Sequence, residues 1–284
     1  MPGRLIGELV RQRMATLSPA ERRLGRALLA AYPVAGLESL GRFAERAAVS
    51  PATVSRFIAK LGLRGYPEFQ EALRDELAAR LSSPVERLAA ASTDADDDSP
   101  LRRSFAAAEH SLRDTLSMTT EHDFDAVVEL LADEHRRVIA LGGRLSAPLA
   151  RYLGGQLRQL RAGVEVMAPD RATPADQLAD LGRRDVLVVF DYRRYQRDSI
   201  ESAREAAAKG AAVVLVTDPW LSPAAATARH VLVTSVTTGA PFDSLVAGMA
   251  LVEALVAAVV GRLGEIARRR MRRLDELRDR MESE

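Results

Sequence analysis

The stretch "SPATVSRFIAKLG", residues 50–62, carries the start and stop signals of one short helix together with an unusual free face. Ser50 can cap the helix, Pro51 suits its first turn, and Gly62 suits a left-handed exit from it. The apolar residues recur four and three positions apart, which predicts one buried stripe: Val54, Ile58 and Leu61. The opposite face is predicted to carry small hydroxyls and two cations: Thr53, Ser55, Arg56 and Lys60.

The residues around this stretch predict a small all-helical domain over residues 1–80. "LSPAERRLGRALLA" opens with the capping box of Ser18 and Glu21, which marks a helix start. "SLGRFAERAAV" predicts a further helix, separated from the helix at Ser50 by a tight turn. This spacing is typical of a helix-turn-helix, whose second helix lies in the major groove of DNA.

The second part of the chain alternates strands and helices. Residues 81–100 are small, polar and acidic, and they predict a linker with Asp94 to Asp98 as its exposed middle. Five apolar strands then each return through a helix: "RRVIALG", "VEVMA", "DVLVVFD", "AAVVLVTD" and "HVLVTS". The last helix is predicted to begin near Pro241. We therefore expect a multidomain protein in which residues 101–284 form an α/β three-layer domain with a five-stranded, mostly parallel, doubly wound sheet.

The composition excludes several classes of protein. Of 284 residues, 47% are hydrophobic and 28% charged, so the chain can bury a substantial core. It has no cysteine, which excludes disulfides, thiolate metal sites and cysteine nucleophiles. Because no signal peptide or membrane span is evident, we expect a soluble cytoplasmic protein without a membrane partner. Thirteen cationic and eight acidic residues give residues 1–80 a charge of +5, which permits nucleic-acid binding without requiring it.

The free face of the helix at Ser50 has the chemistry of a DNA reader. Its first hydroxyls can donate to phosphates beside the helix N-terminus. Arg56 can read guanine, whose O6 and N7 match the guanidinium fork, and the later residues would lie nearer the DNA backbone. The candidate DNA-binding residues are Ser50, Thr53, Ser55, Arg56, Lys60, Arg64 and Tyr66. The pattern alone does not separate this interpretation from the solvated polar faces of a small helical bundle.

A family resemblance separates the two interpretations. "LSPAERRLGRALLAAYP" followed by "SLGRFAERAAVSPATVSRFIAKLGLRGYPEFQEALRDEL" closely resembles the N-terminal domain of RpiR-type transcriptional regulators. The second half resembles a SIS (sugar isomerase) domain, the usual partner of that helix-turn-helix. The resemblance implies a homodimeric or homotetrameric regulator that binds a double-stranded DNA operator. It also implies a SIS domain that senses a phosphorylated sugar or a related metabolite, without a cofactor or a metal.

The first strand-to-helix loop of the SIS-like half, "LGGRLSAPLA", is a candidate anion site. In parallel sheets, ligands bind at the carboxyl ends of the strands. Gly142 and Gly143 allow a tight turn and close backbone approach, Ser146 begins the next helix, and Arg144 adds a cation. SIS domains hold a phosphate with a loop of this kind. The alternative is a plain turn in which glycine serves the bend and serine caps the helix.

The second loop departs from the SIS pattern. Many SIS domains carry a run of serine, glycine and threonine after the third parallel strand, whereas this chain has "VVFDYRRYQRDS" with Asp191, Arg193 and Arg194. Arginine can bind phosphate or carboxylate, but an aspartate aimed at a phosphate repels it. Three outcomes stay open: arginines replace the serine cradle, the ligand is a carboxylate or polyol such as a sugar-derived acid, or the pocket is vestigial and Asp191 pairs with the arginines. Ser244 is a further ligand-binding candidate, and the alternatives are that it approaches the subunit partner or serves as an ordinary cap.

An isomerase and a ligand-free dimerisation scaffold are the two alternative functions. Sugar isomerisation needs a glutamate or histidine base beside the carbonyl, and no such group is evident at the predicted site. Of the histidines, His230 opens the fifth strand, at the end away from the predicted pocket. We therefore expect a transcriptional regulator and not an enzyme.

Overall fold

The computed structural model describes residues 5–14, 16–81, 83–91, 99–167, 173–238 and 240–282. Within them, the contacts divide the chain into two compact units, Met1–Arg87 and Leu88–Glu284. Helix α7 (Pro84–Ala91) occupies part of the segment predicted as a linker. The acidic run from Asp94 to Asp98, predicted as the exposed middle of that linker, lies outside the described residues.

The first unit is helical. Its helices are α1 (Ile6–Arg13), α2 (Pro19–Ala30), α3 (Val34–Leu37), α4 (Leu40–Arg46), α5 (Pro51–Lys60) and α6 (Tyr66–Leu81). The predicted capping box forms at the start of α2, where Ser18 and Glu21 satisfy each other's backbone N–H groups. Phe43, Phe57 and Phe69 are fully buried and bring α4, α5 and α6 onto one core.

The second unit contains a parallel sheet. The strands among the described residues are β1 (Arg137–Gly142), β2 (Val164–Val166), β3 (Asp185–Phe190), β4 (Ala212–Thr217) and β5 (His230–Val233). They pair in the order β2-β1-β3-β4-β5, and every pairing is parallel. This order reverses between β1 and β3, which is the switch point of a doubly wound fold and the expected position of a ligand.

Helices cover both faces of this sheet. They are α8 (Pro100–Met118), α9 (Glu121–Ala132), α10 (Ala147–Leu160), α11 (Thr173–Ala179), α12 (Arg197–Ala208), the 3-10 helix Pro223–Ala226, α13 (Val246–Leu263) and α14 (Glu265–Glu282). Alternate residues of one strand face opposite cores: Val138 and Ala140 pack on the side of α9, α10 and α13, whereas Ile139 and Leu141 pack on the side of α12. The predicted three-layer α/β architecture is confirmed.

The last two helices differ from the prediction at their boundaries. Helix α13 begins at Val246 and not near Pro241, and Gly264, with a φ of 55°, separates it from α14. Among the described residues, α13 is the helix that is long and apolar enough to cross a membrane. Its buried side belongs to the core of the second unit, where Val252, Leu255 and Val259 are fully enclosed.

Candidate nucleic-acid interface and effector site

The turn between α4 and α5 is tight and firmly held. Ala48 adopts a left-handed backbone with a φ of 50°, and the Val49 amide donates to the Ala44 carbonyl oxygen at 3.0 Å. Arg23 of α2 donates from Nε to Ala47 O at 3.3 Å and from Nη2 to Ala48 O at 3.4 Å. These bonds fix the angle at which α5 leaves α4, as a helix-turn-helix requires.

The free face of α5 is narrower than predicted. Ser55 and Arg56 are exposed, but Thr53 is only 7% exposed, because it lies one turn before the buried Phe57. The Thr53 hydroxyl contacts the Ser50 hydroxyl at 3.0 Å and accepts a hydrogen bond from Arg56 Nη2 at 3.3 Å. The placement of Thr53 on the free face was therefore wrong, and the residue instead supports Arg56. Ser50 occupies the N-cap position without a side-chain hydrogen bond to the helix backbone.

Lys60, at the end of α5, is shared with α2. Its Nζ donates to Glu21 Oε2 at 2.8 Å, while the Lys60 side chain remains 49% exposed. Burial acts to raise the pKa of the Glu21 carboxyl, but hydrogen bonds from Lys60 and Ser18 outweigh it and hold the pKa below its ordinary value. Lys60 thus ties α5 to the capping box of α2.

Arg64 and Tyr66 follow α5 and have different surroundings. The Arg64 side chain is 95% exposed and pairs loosely with Glu68 at 3.5 Å. The Tyr66 hydroxyl is part-buried and donates to the carbonyl oxygens of Gly36 and Glu38, at 3.2 and 2.9 Å. Burial, with a smaller contribution from the Glu38 charge, raises the pKa of Tyr66 to about 12. Tyr66 therefore holds α6 against α3 and its hydroxyl does not face outward, contrary to the prediction of a DNA backbone contact.

The loop after β1 is braced against the neighbouring strand. A Cβ at Gly142 would lie 2.6 Å from the Ala147 Cα, so only glycine fits this turn. Ser146 is buried, and its hydroxyl accepts from the Gly143 amide at 2.9 Å and donates to Phe190 O at 2.6 Å. Ser146 thus joins the carboxyl ends of β1 and β3 and makes no cap bond to α10. Arg144 is exposed beside it.

Asp191, the first residue after β3, is turned into the protein. It is 2% exposed, and its carboxylate accepts from the Ser222 hydroxyl at 2.5 Å and from the Gln196 amide at 3.2 Å. Burial raises the pKa of Asp191 above its ordinary value, against the effect of these hydrogen bonds. Of the outcomes left open for this loop, the pairing of Asp191 with the arginines does not occur: its carboxylate is taken up by Ser222 and Gln196, and Asp191 links the loops after β3 and β4.

Arg193 is engaged by residues from two other loops. Its guanidinium makes a bidentate ion pair with Asp243, with Nε 2.7 and 2.8 Å from the two carboxylate oxygens, and lies 4.8 Å from the ring centroid of Trp220. Arg194 is exposed, with a φ of 67°. Arg193 therefore links loops at the carboxyl ends of the strands, which we call the carboxyl edge of the sheet. Arg144 and Arg194 carry exposed positive charge at this edge.

Asp218, at the end of β4, organises the same edge. It is fully buried and accepts hydrogen bonds from the Arg193 amide, from the Tyr195 hydroxyl at 2.8 Å and from the Trp220 amide at 3.0 Å. Burial raises the pKa of Asp218 to about 6. Ser244 is half-buried and its hydroxyl accepts from the Val246 amide at 3.2 Å, as a local cap does.

Sequence reasoning missed Trp220, Asp243 and Gln196 as members of this edge. Gln196 Oε1 accepts from the Arg144 amide at 2.9 Å and so links the loops after β1 and β3. An aspartate and a tryptophan following two strands of the same parallel sheet were a usable signal, since the carboxyl ends of parallel strands meet at one edge. Their pairing with Arg193 in particular spans up to 50 residues and follows from the fold alone.

Comparisons with known proteins agree with this architecture. A family model described as "Helix-turn-helix domain, rpiR family" matches residues 5–80, and one described as "SIS domain" matches residues 130–258. The HTH-type transcriptional regulator HexR of Pseudomonas aeruginosa is 28% identical over 214 residues, which cover 74% of this chain and 72% of HexR.

Solved structures are similar as well. The sugar isomerase domain of an RpiR transcription factor from Sphaerobacter thermophilus is 30% identical with a TM-score of 0.59, and the match covers 62% of this chain and 98% of that one. The Vibrio vulnificus NanR protein complexed with ManNAc-6P is 21% identical with a TM-score of 0.55, over 94% of this chain and 96% of NanR, which shows a shared fold. The chain belongs to the RpiR family of transcriptional regulators, with an N-terminal helix-turn-helix domain and a C-terminal SIS domain.

Proposed function

We propose that this regulator reads a double-stranded DNA operator with the exposed face of α5, and that a small anionic metabolite at the carboxyl edge of the SIS sheet changes operator affinity. The observation that carries the first half is the state of Arg56. It is exposed on α5, outside the core of its own unit, and Thr53 holds its guanidinium from behind. A restrained arginine loses less conformational entropy when it contacts a base.

The other candidate contacts have graded roles in this proposal. Ser55, next to Arg56, supplies a second exposed group for base edges, and Ser50 lies at the helix start, where phosphates bind. Arg64, which is 95% exposed and only loosely paired with Glu68, supplies positive charge for the DNA backbone, whereas Lys60 shares its charge more closely with Glu21. Thr53 supports the Arg56 side chain and Tyr66 holds α6 against α3, so we assign neither of them a direct contact with DNA.

Operator capture tests the DNA half of the proposal. The full chain is incubated with fragments of genomic DNA, bound fragments are sequenced, and protection from cleavage locates the site. We expect two related half-sites, because the recognition helices of a two-fold symmetric dimer meet the duplex one turn, or a multiple of one turn, apart. Recovery of fragments without any shared sequence, at low and at physiological salt, would contradict operator recognition.

The effector half rests on the charges at the carboxyl edge. Arg144, just before α10, and Arg194, in the loop after β3, are exposed cations, and Arg193 is a third cation already neutralised by Asp243. An anion that competes with Asp243 for Arg193 would separate the loop after β3 from the segment before α13. NanR, which shares this fold, was solved with ManNAc-6P. We infer a sugar derivative bearing a phosphate or a carboxylate, and a thermal-shift panel of phosphosugars against the matching sugar acids distinguishes these.

The isomerase alternative has one observation in its favour and a stronger one against it. Asp218 has a pKa of about 6, which is near the range of a general base. Both of its carboxylate oxygens, however, already accept hydrogen bonds from Arg193, Tyr195 and Trp220. Asp218 is also fully buried, so neither carboxylate oxygen faces a substrate, and we propose a sensor without turnover. Conversion of a phosphosugar by the purified chain would contradict this proposal and support the isomerase alternative.

We also propose that the protein acts in the cytoplasm as a homodimer or homotetramer. Helix α8 exposes an apolar stripe in which Leu101, Phe105 and Leu116 are 68%, 72% and 78% accessible. These positions fall on one side of a helix, and an exposed apolar stripe is typical of an association surface. Sedimentation of the full chain measures the assembly, and a monomer at micromolar concentration would contradict it.

A further inference from the structure

An arginine-lined depression lies at the amino end of β2, whereas the proposed effector site lies at the carboxyl ends of the strands. It has a volume of about 480 Å³ and is formed by the last turns of α10, the entry to β2 and the middle of α14. Among the described residues that line it there are four arginines and no aspartate or glutamate. The arginines are Arg158, Arg161, Arg270 and Arg278.

In two of these arginines, Arg158 and Arg270, the Nε atom donates to a backbone carbonyl oxygen and so restricts the direction of the guanidinium group. Arg158 Nε donates to Val164 O at 3.1 Å, and Arg270 Nε donates to Arg158 O at 2.8 Å. Within the described part of the chain, neither Arg158 nor Arg270 forms an ion pair with a carboxylate. The terminal nitrogens of both side chains are thus left as donors whose direction the Nε bonds already restrict.

Arg161 places a fixed positive charge behind them. Its side chain is enclosed, at 1% exposure, and it donates to the backbone carbonyl oxygens of Leu131, Asp133 and Ala162 at 2.7, 2.8 and 3.0 Å. These acceptors are neutral carbonyl groups, and the negative charges that act on the Arg161 guanidinium come from Glu134 and Asp133, which do not line the depression. Arg278, at the rim, pairs with Asp275 at 2.9 Å.

A purely structural role accounts for only part of this arrangement. One guanidinium suffices to satisfy a carbonyl oxygen in the last turn of α10, as Arg270 does for Arg158 O. The other positive charges around the same depression repel one another, which is unfavourable unless a bound anion compensates them. A guanidinium group can bind two phosphate oxygens through parallel hydrogen bonds, which strengthens binding of the anion and fixes its orientation.

We propose that this depression binds a compact polyanion of the phosphate class, at a site separate from the carboxyl edge of the sheet. The ligand would bridge Arg158 of α10 and Arg270 of α14 and so fasten α14 to the domain. The concave shape favours a free small molecule over the DNA backbone, and the volume suits a small ligand. The site lacks an aromatic lining among the described residues, so the phosphate groups carry the recognition.

Titration calorimetry of the full chain with inorganic pyrophosphate at constant ionic strength tests the site. We expect saturable binding that falls about tenfold or more in Arg158→Gln and in Arg270→Gln, because each loses charged hydrogen bonds. Arg273→Gln is the matched control: it removes an exposed arginine of α14 that does not line the depression, and it should bind as the original chain does. Arg270→Lys, which keeps the charge, should retain part of the affinity and guards against a folding defect.

Three results would overturn the proposal. Absence of saturable pyrophosphate binding by the original chain at millimolar concentration is the first, and an equal loss in Arg273→Gln is the second. The third is unchanged pyrophosphate binding in both glutamine variants together with weaker binding of a nonspecific DNA duplex, which would make the arginines a DNA surface. Operator capture has a separate readout, so failure of this site leaves the proposed function standing.

Discussion

Arg56 combines exposure with restraint, and this combination leads to the most direct prediction for DNA recognition. Its guanidinium is exposed on α5, while Thr53 Oγ1 holds Nη2 at 3.3 Å. Arg56→Ala should cost about 1–3 kcal/mol of operator affinity and should relax the sequence preference at one base position, because the fork that reads guanine is lost. Competition among single-base variants of the captured operator measures both effects.

An exposed arginine elsewhere in the same unit controls for the lost charge. Arg74 is exposed on α6, which is outside the helix pair α4 and α5, and Arg74→Ala should leave the base preference unchanged. If Arg56→Ala binds with the original preference at every position of the operator, Arg56 does not read a base.

Arg193 connects loops that follow different strands, so its loss should separate sensing from DNA binding. Arg193→Ala removes the bidentate pair with Asp243 and the contact with Trp220, both of which lie in the SIS domain. We expect the metabolite response to be abolished and operator affinity without metabolite to stay unchanged, as measured by fluorescence anisotropy. Arg197→Ala, at an exposed position of α12, should respond normally. A normal response in Arg193→Ala would remove that residue from the effector site.

The contact between α2 and α5 depends on the ionisation of Glu21. The pKa of this carboxyl is lowered in the folded state, so the Lys60 pair stabilises the protein above the unfolded-state pKa and the stabilisation is lost as pH falls through the folded pKa. Glu21→Gln should lower the free energy of unfolding at neutral pH by less than about 1 kcal/mol, because Lys60 is half exposed. Urea unfolding at a series of pH values should show this difference shrinking toward acid pH.

Glu45→Gln supplies the comparison for this helix contact. Glu45 is exposed on α4 and outside the capping box, so its substitution should leave stability nearly unchanged at every pH. A Glu21→Gln effect that persists undiminished in acid would mean that Glu21 acts through packing and not through its charge.

The helices and strands were predictable from sequence because their periodicities are strong. Val186 to Phe190 is buried at every residue, as a strand covered on both faces must be, and its length separates it from a helix. The helix boundaries were less predictable: Pro241 lies five residues before the start of α13, because a proline marks a turn or loop as readily as a helix start.

Side-chain roles at the site were less predictable. Phe57 shows why Thr53 was misplaced: a buried phenylalanine one turn later widens the apolar stripe to include position 53. Asp191 was expected to meet a ligand or an arginine, but Ser222, 31 residues away, supplies its partner. Contacts of this kind depend on which loops the sheet order brings together, and spacing along the chain does not contain that order.

Joining a DNA reader to a metabolite sensor imposes a thermodynamic equality on the whole molecule. If the metabolite changes operator affinity by some factor, the operator must change metabolite affinity by the same factor. We expect calorimetric titration of the metabolite, with and without saturating operator, to give the factor found by anisotropy with and without saturating metabolite. Typical couplings are about 5- to 150-fold, well within the range of both methods. Unequal factors would mean that the metabolite acts on a state outside this cycle, such as a change of assembly, and a coupling of one would reduce the SIS domain to a scaffold.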